Sequence, residues 1–517
     1  MAKGNAVLVD LRRYSEHQPI AGACLKGWAL ADPLLRDRVD IVLLNPMREI
    51  DTDDLVRQIM ASRPRLIGFS CYVWNIQKVL EVARTLKDAD PELAVLLGGP
   101  EVSPCAEEFI RGNDYVDYVA LGEGEETFRS LLRKIFYGEA LESVPGLAYR
   151  DSRGVVRTPI AEQIDLSATE SPYLNGLIER IPSYTPVPTR AIMETSRGCP
   201  FTCKFCEWGP RNMRYMPLER IESELRFLAA RYSTIEFGDA DLLMHKRRGA
   251  DIIKIFLKAS AGKNCRLFFN TNPVFLTPEL VDLMAQDASK FGLFAGVQTT
   301  NQKALERIAR KTDFGKVRAN IDYLRRKAPG VYLVTPLIYG LPADDLAGFH
   351  RSLEWIMRVR PDWLTLYHAL VLPGSDFNRE AAELGLIYQR ESPHRVIMTS
   401  TMSEEDMRAA TELAFYMEVF WALPVLVDTV IPRSVPDDVS LVRYFQKWLE
   451  FIREKGIDLS FGLPVSEVDG VDPQEKGMEA KGQIWGDSML IAELIVLSRR
   501  FVEEVPLEAV CAGASLA

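Results

Sequence analysis

Cysteine is scarce in this chain, 8 among 517 residues. That is too thin for the disulfide framework of a small secreted domain. Runs of Lys and Arg long enough to make a nucleic-acid face are missing, and the formal net charge is −10. Such a surface repels polyphosphate, so no nucleic-acid partner is expected. No uncharged apolar run approaches the ~18–20 residues of a membrane span. The N-terminus, MAKGNAVLVDLRRYSEHQP, lacks an apolar core followed by a small-residue cleavage site. The expectation is a cytoplasmic chain with no membrane partner. Internal repeats and low-complexity segments are also missing. What remains is a globular mixture, 47% hydrophobic and 26% charged, which excludes disordered and fibrous classes. At ~100–200 residues per domain, the length suggests about three domains.

Apolar runs alternate with amphipathic segments along residues 1–137. The runs are AVLVDL (6–11), DIVLLNP (40–46), RLIGFSCY (65–72), LAVLLGG (93–99) and YVDYVALG (115–122). Between them, IQKVLEVARTLKDA (76–89) places Val79, Val82, Ala83 and Leu86 on one helical stripe. Near-continuous apolar strands separated by helices imply a parallel, doubly wound sheet. Ligands bind such sheets at the carboxyl ends of the strands, here SCYVWN (70–75), GGPEVS (98–103) and GEGEET (122–127). A hairpin pattern, GLAYRDSRGVVR (146–157), precedes a stretch with Pro172, Pro182, Pro186 and Pro188 that reads as a linker. A second strand–helix series starts near Arg190 and runs through STIEFGDADLL, NCRLFFNTN, GLFAGVQTT, VYLVTPLIYGLP and DWLTLYHALVLPG. Its regularity points to a full or partial parallel barrel. From about Ile397 long helical patterns take over. The expected α/β organisation is a doubly wound, flavodoxin-like (Rossmann-like) domain at 1–145, a linker at 146–189, a barrel at 190–396 and a helical region at 397–517.

Five cysteines (Cys24, Cys71, Cys105, Cys265, Cys511) are scattered, but Cys199, Cys203 and Cys206 fall together as CxxxCxxC just after the first barrel-like strand. Structural zinc usually needs a second cysteine pair, and a redox CxxC needs only two thiols. Three close thiolates suit a cubane iron–sulfur cluster with one iron left open. Gly198 and Pro200 are turn residues, which argues against three cysteines buried in a core. Here the chain resembles the radical S-adenosylmethionine (SAM) enzymes, whose CxxxCxΦC loop, with Φ aromatic, is matched by Cys199, Cys203, Phe205 and Cys206. The resemblance covers residues 190–375. It implies that three cysteines hold a 4Fe–4S cluster and that the open iron chelates SAM. It further implies SAM contacts from Phe205, from Gly238, Asp239 and Asp241 in GDADL, from Asn272 and from Gln298. The GDADL segment departs from the commoner Gly-Gly-Glu form. Each has a structural alternative: helix caps for Asp239 and Asp241, a strand end for Gln298, a turn for Asn272.

A doubly wound domain ahead of such a barrel is similar to the cobalamin-binding subclass of that family. The resemblance rests on GFSCYVWN (68–75), LLGGPEVS (96–103) and GEGEET (122–127). It implies corrin contacts from Ser70, Tyr72, Trp74, Asn75, Gly98, Gly99, Pro100, Glu101, Gly122, Glu123 and Gly124. Glycines at strand ends let backbone approach a wide flat ring; an ordinary flavodoxin-like domain could also use such turns. The Asp-x-His-x-x-Gly loop, whose His ligates cobalt in the subclass, is not present after the first strand. His17 lies in LRRYSEHQPIAG (11–22), at the wrong spacing from Asp10. A base-off cobalamin without a His ligand is therefore implied, with Tyr72, Trp74 or a loop residue beneath it. Trp74 could equally be a core anchor.

Both cofactors together resemble the cobalamin-dependent radical SAM methylases. The resemblance implies methyl transfer to an unactivated carbon, or another poorly nucleophilic centre, of a small metabolite or peptide natural-product precursor. It also implies an electron donor of flavodoxin or ferredoxin type. Rearrangement, ring contraction or cyclisation with the same cofactors is the alternative enzyme reading, and a non-catalytic cobalamin or redox sensor is the alternative outside catalysis. Tyr339, Tyr367, His368 and Trp421 are substrate-lining candidates, each with packing as its alternative.

Overall fold

The computed structural model describes residues 3–14, 18–178, 181, 189–209, 211–460 and 473–507. Strands β1 (Gly4–Val9), β2 (Val39–Leu44), β3 (Pro64–Ser70), β4 (Ala94–Gly98) and β5 (Tyr118–Ala120) are parallel, in the order β2-β1-β3-β4-β5. Their apolar runs are buried on both faces, so helices must cover both faces. The helix Ile76–Ala89 buries Val79, Val82, Ala83 and Leu86. The helix Glu125–Tyr137 buries Phe128, Leu131 and Leu132. This is the doubly wound α/β order expected from the sequence. The hairpin β6 (Leu147–Asp151) and β7 (Gly154–Arg157) joins this sheet rather than the connecting segment, because β6 pairs antiparallel with the free edge of β5.

The second sheet is parallel and six-stranded. Its members are β8 (Arg190–Met193), β11 (Thr234–Phe237), β12 (Arg266–Thr271), β13 (Phe291–Ala295), β14 (Tyr332–Tyr339) and β15 (Trp363–His368), in that order from edge to edge. It ends on β8 and β15, so the barrel is partial. Two short strands, β9 (Ser196–Arg197) and β10 (Arg214–Tyr215), pair antiparallel and close residues 198–213 into a loop. Residues alternate along the barrel strands. Ile235, Phe237, Leu267 and Phe269 pack outward and are fully buried, while Glu236, Phe268 and Asn270 face a lumen and stay partly accessible.

A hairpin, β16 (Ile387–Tyr388) with β17 (Val396–Met398), leads into the C-terminal helices. The helix Glu404–Trp421 starts on a capping box, Ser403 with Asp406, and buries residues around most of its circumference. Such a helix belongs in a core, and here it packs with β14, β15 and the helix Leu441–Glu454. No single described helix is long and apolar enough to cross a membrane; the pair Glu404–Trp421 and Pro424–Val430 has the composition but is bent by 102°.

One buried ion pair fastens the C-terminal helices to the barrel. Lys481 Nζ lies 3.0 Å from Glu418 Oε2, and Glu418 Oε1 accepts from the Leu366 amide of β15 at 2.6 Å. Lys481 also lies over the Trp363 ring at 4.8 Å. Removing one member of such a pair leaves a charge in a dry place. Lys481→Ala should therefore lower stability by roughly 3–5 kcal/mol, while Lys481→Met combined with Glu418→Leu should restore most of the loss. Urea unfolding of both variants checks this.

Candidate active site

The three cysteines sit on the loop closed by β9 and β10. Cys206 N bonds Cys203 O at 3.0 Å, and Lys204 N bonds Ile308 O at 3.1 Å. The loop is also held from the far side: Phe377 N donates to Lys204 O at 2.9 Å, and Lys204 Nζ pairs with Glu380 at 2.5 Å. Glu207 accepts from Gly374 N at 3.3 Å, and a Cβ on Gly374 would collide with the Glu207 carboxylate. Burial pushes the Cys206 thiol up to about 11 and also raises Cys199; the charge of Cys203 adds to both and Arg310 opposes both. Neighbouring thiols that suppress one another's ionisation are what a bound cationic cluster reverses. Among the described residues no three His, Cys, Asp or Glu side chains converge tightly enough to hold a single ion. A cluster does not require that, because each thiolate binds its own iron. The donor set fits an iron–sulfur cluster.

Arg310 is a residue that sequence reasoning missed. The helix Gln302–Arg307 and a left-handed turn at Ala309 (φ 55°) deliver it. Its Nη1 lies 3.7 Å from Cys203 Sγ, and its Nη2 donates to Gly296 O at 2.6 Å. Its guanidinium thus brings a positive charge to the edge of the cysteine loop.

The SAM candidates divide. The Asp239 carboxylate is taken up by the end of β8: it accepts from Thr195 N at 2.7 Å, Ser196 N at 3.1 Å and the Thr195 hydroxyl. Asp241 caps its own turn through Leu243 N and Met244 N and ties to β12 through Asn272 N at 2.6 Å. Burial raises both carboxyls to about 6 against these hydrogen bonds. Asn272 Oδ1 accepts from Val274 N at 3.2 Å. These groups shape the strand ends and leave backbone as the exposed surface. Gly238 is open: a Cβ there would meet nothing closer than Ile192 Cγ2 at 3.6 Å. Gln298 is held at φ 73°, with its backbone bridging Pro336 O and Ile338 N and its side chain beside Gly296. Phe205 packs edge-on to Phe377, with centroids 6.4 Å apart.

At the N-terminal sheet, Asn75 is wholly engaged. It accepts from Tyr72 N at 2.8 Å and donates to Ser70 O at 2.9 Å and Leu11 O at 3.3 Å. The Tyr72 and Trp74 rings stack at 4.4 Å and 5°. The double glycine separates into two roles. Gly99 (φ 112°) lies against Cys71, where a Cβ would come within 2.5 Å of Cys71 O, whereas a Cβ on Gly98 would meet only Ala120 at 3.5 Å. A Cβ on Gly122 would meet Ile160 at 3.6 Å and one on Gly124 would meet Leu25 at 3.4 Å, and Pro100 is exposed. Glu101 pairs with His394 Nε2 at 2.8 Å, and Glu123 bonds Arg214; neither carboxylate faces outward. The cradle of Ser70, Gly98, Gly122 and Gly124 therefore offers backbone and a hydroxyl to a flat ring, which fits a corrin. His17 lies outside the described residues.

The substrate candidates also divide. Tyr339 and Trp421 are core residues: Tyr339 is fully buried against Phe349, and the Trp421 indole donates to Pro361 O at 2.9 Å. His368 bonds Val396 O at 2.6 Å and packs on Tyr339. Tyr367 alone faces the lumen. It keeps 41% of its surface accessible, yet burial pushes its hydroxyl up to about 12, with Glu418 and Tyr14 adding to the rise. Across the lumen, Arg190 Nη1 and Glu236 Oε2 pair at 3.1 Å.

Residues 26–132 match the B12 binding domain family and residues 193–355 the Radical SAM superfamily. The chain is 28% identical over 378 residues to the cobalamin-dependent radical SAM methyltransferase TokK of Streptomyces tokunonensis, covering 70% of this chain and 54% of that protein. It is 27% identical over 406 residues to 2-(S-pantetheinyl)-carbapenam-3-carboxylate methyltransferase of Streptantibioticus cattleyicolor, covering 75% and 58%. It thus spans a little over half the length of these two curated relatives. Among solved structures, the cobalamin-dependent SAM radical enzyme OxsB with aqua-cobalamin and SAM bound superposes with a TM-score of 0.64 at 15% identity, over 97% of this chain and 79% of that one. This likeness is one of fold.

Asp10, at the end of β1, carries a pH signature. Burial raises its carboxyl to about 7. The folded chain therefore keeps a proton that the unfolded chain, titrating near ~3.9, releases. Stability falls as pH rises from about 4 to about 7 and is flat above. Asp10→Asn should remove this slope, so the variant melts higher than the parent near pH ~8 and the gap closes near pH ~4. Calorimetry across that range checks the expectation; parallel melting curves would refute it.

Proposed function

The chain belongs to the radical SAM superfamily and carries a B12 binding domain, and from that premise we propose that it is a cobalamin-dependent methyltransferase. The reaction proposed is transfer of a methyl group from methylcobalamin to an unactivated carbon, or another poorly nucleophilic centre, of a small molecule or peptide natural-product precursor. The observation that carries the reading is the meeting of two strand-end sites, the cysteine loop after β8 and the Ser70–Gly98–Gly122 edge after β3, β4 and β5, joined through Arg197, Arg214 and His394. When bound, a cluster with SAM would supply hydrogen-abstraction chemistry and a corrin would supply the methyl group.

The chain's own residues do the placing. Cys199, Cys203 and Cys206 are the proposed cluster ligands. Gly238, Gln298, Phe205 and Arg310 surround the space next to that loop, and Arg310 offers the positive charge for a carboxylate. Asp239 and Asp241 act one step back, holding the ends of β8, β11 and β12 in register. Ser70, Gly98, Gly122 and Gly124 form the proposed corrin seat, with the Tyr72–Trp74 stack as a flat wall. The lumen, with Tyr367 and the Arg190–Glu236 pair, is the proposed substrate chamber, polar on one wall. An electron donor of flavodoxin or ferredoxin type is proposed to reduce the cluster.

Anaerobic reconstitution with iron, sulfide and cobalamin should yield ~4 iron and one corrin per chain. Cys203→Ala should lose the cluster absorbance and all turnover, while retaining the fold by circular dichroism. With substrate supplied, S-adenosylhomocysteine and 5′-deoxyadenosine should accumulate together. 5′-Deoxyadenosine alone would instead support rearrangement or cyclisation, and a variant without cysteine 203 that kept full activity would remove the cluster from the mechanism.

A further inference from the structure

The turn after β5 and the cysteine loop share one set of charges. Arg197 and Arg214 are register partners in β9 and β10, the two strands that close residues 198–213. Both guanidiniums leave the barrel and enter the N-terminal domain. Arg197 Nη1 lies 2.7 Å from Glu125 Oε1 and 3.7 Å from Glu123 Oε2, while its Nη2 and Nε reach Glu194 at 3.0 and 3.2 Å. Arg214 bonds the other oxygen of Glu123 and donates to Ile164 O at 2.8 Å. Glu123 stands between Gly122 (φ 79°) and Gly124 (φ 91°). Glu125 opens the helix Glu125–Tyr137 and is 4% exposed at its side chain.

Three carboxylates thus meet two guanidiniums in a largely buried neck. Burial raises the Glu125 carboxyl and Arg197 pulls it back down. The second oxygens of Glu123 and Glu125 are buried without a hydrogen-bond partner. Their negative charge rests on the arginines, because a buried charge deprived of its counter-ion is strongly unfavourable. The turn 122–124 cannot shift unless the arginines follow. The arginines sit on opposite strands at the mouth of the cysteine loop, so following means moving both of its ends.

We propose that Arg197 and Arg214 are positioning residues that couple the two cofactor sites, so that a cluster held in loop 198–213 and a corrin seated at Gly122–Gly124 each strengthen binding of the other. The inference rests on the cofactor reading above. Each ligand orders the same charged neck, and ordering done for the first need not be repeated for the second. Linkage makes the effect reciprocal.

The test is a titration of the full chain with aquacobalamin, followed by absorbance, in cluster-free and anaerobically reconstituted forms. Reconstituted protein should bind the corrin at least about fivefold more tightly. Arg197→Met should bring that ratio to about one. Arg197→Lys, which keeps the charge and loses the fork, should give an intermediate ratio. Glu123→Gln, which keeps the side-chain shape and removes the carboxylate charge shared by the two arginines, should also reduce the ratio. A merely structural role would weaken corrin binding in both forms and leave the ratio unchanged. A ratio of about one in the parent, or a parental ratio in both Arg197→Met and Glu123→Gln, overturns the coupling alone. No corrin binding in either form overturns the cofactor reading and the coupling with it.

Discussion

Parallel strands oblige every loop at their carboxyl ends to share one edge, and in this chain two such edges meet. The N-terminal sheet presents the ends of β3, β4 and β5; the barrel presents the ends of β8 and β11–β15. Several of the contacts that fasten one body to the other leave from those ends or from segments pinned to them: Glu123 and Glu125 to Arg197 and Arg214, Glu101 to His394, Val73 to Ser392. A reaction needing two large cofactors within reach of one substrate requires this geometry. Turning either sheet around would leave one cofactor on the outside.

Polar side chains at the meeting edges are mostly engaged by the protein itself. Asp239 holds the end of β8, Asp241 its own turn and β12, Asn75 the β3 turn and Leu11. Glycines occupy the remaining positions: a Cβ at Gly98, Gly122, Gly124 or Gly238 would meet nothing closer than 3.4 Å. Buried polar groups that are fully satisfied rigidify what they join. The rigid part of the site is therefore carboxylate and amide, and the receptive part is glycine and sulfur. Arg310 is an exception, being a side chain whose guanidinium stands 3.7 Å from Cys203 Sγ.

Local signals in the sequence carried the fold and the cofactor class. The apolar runs marked the strands of both sheets, the strand–helix alternation marked them as parallel, and CxxxCxΦC marked the proposed cluster loop because its spacing is local. The rest depended on distant partners. Nothing near Glu123 announces Arg214, and nothing near Glu101 announces His394, which lies 293 residues away. Arg310 follows a helix of ordinary composition. Asp239 and Asp241 look alike in sequence and differ in what they tie, one the end of β8 and the other its own turn and the end of β12. Tyr339 and Tyr367 differ only in strand parity and end on opposite sides of the barrel wall. The hairpin 147–157 was legible as a hairpin, but the β5 edge that receives it was not.

The hairpin β16–β17 gives the molecule a temporal order. Its loop brings Ser392 to Val73 and His394 to Glu101, so the ends of β3 and β4 are covered by residues made long after the N-terminal sheet is complete. Contacts separated so far along the chain form late, because the loop they close is long. During synthesis the Ser70–Gly98 edge stands uncovered until residue 394 has emerged. A wide, flat ligand can reach that edge from the side before the second body arrives, and afterwards only through whatever gap the two bodies leave. Under the proposed function, a corrin and the β16–β17 hairpin arrive at the same edge of the sheet.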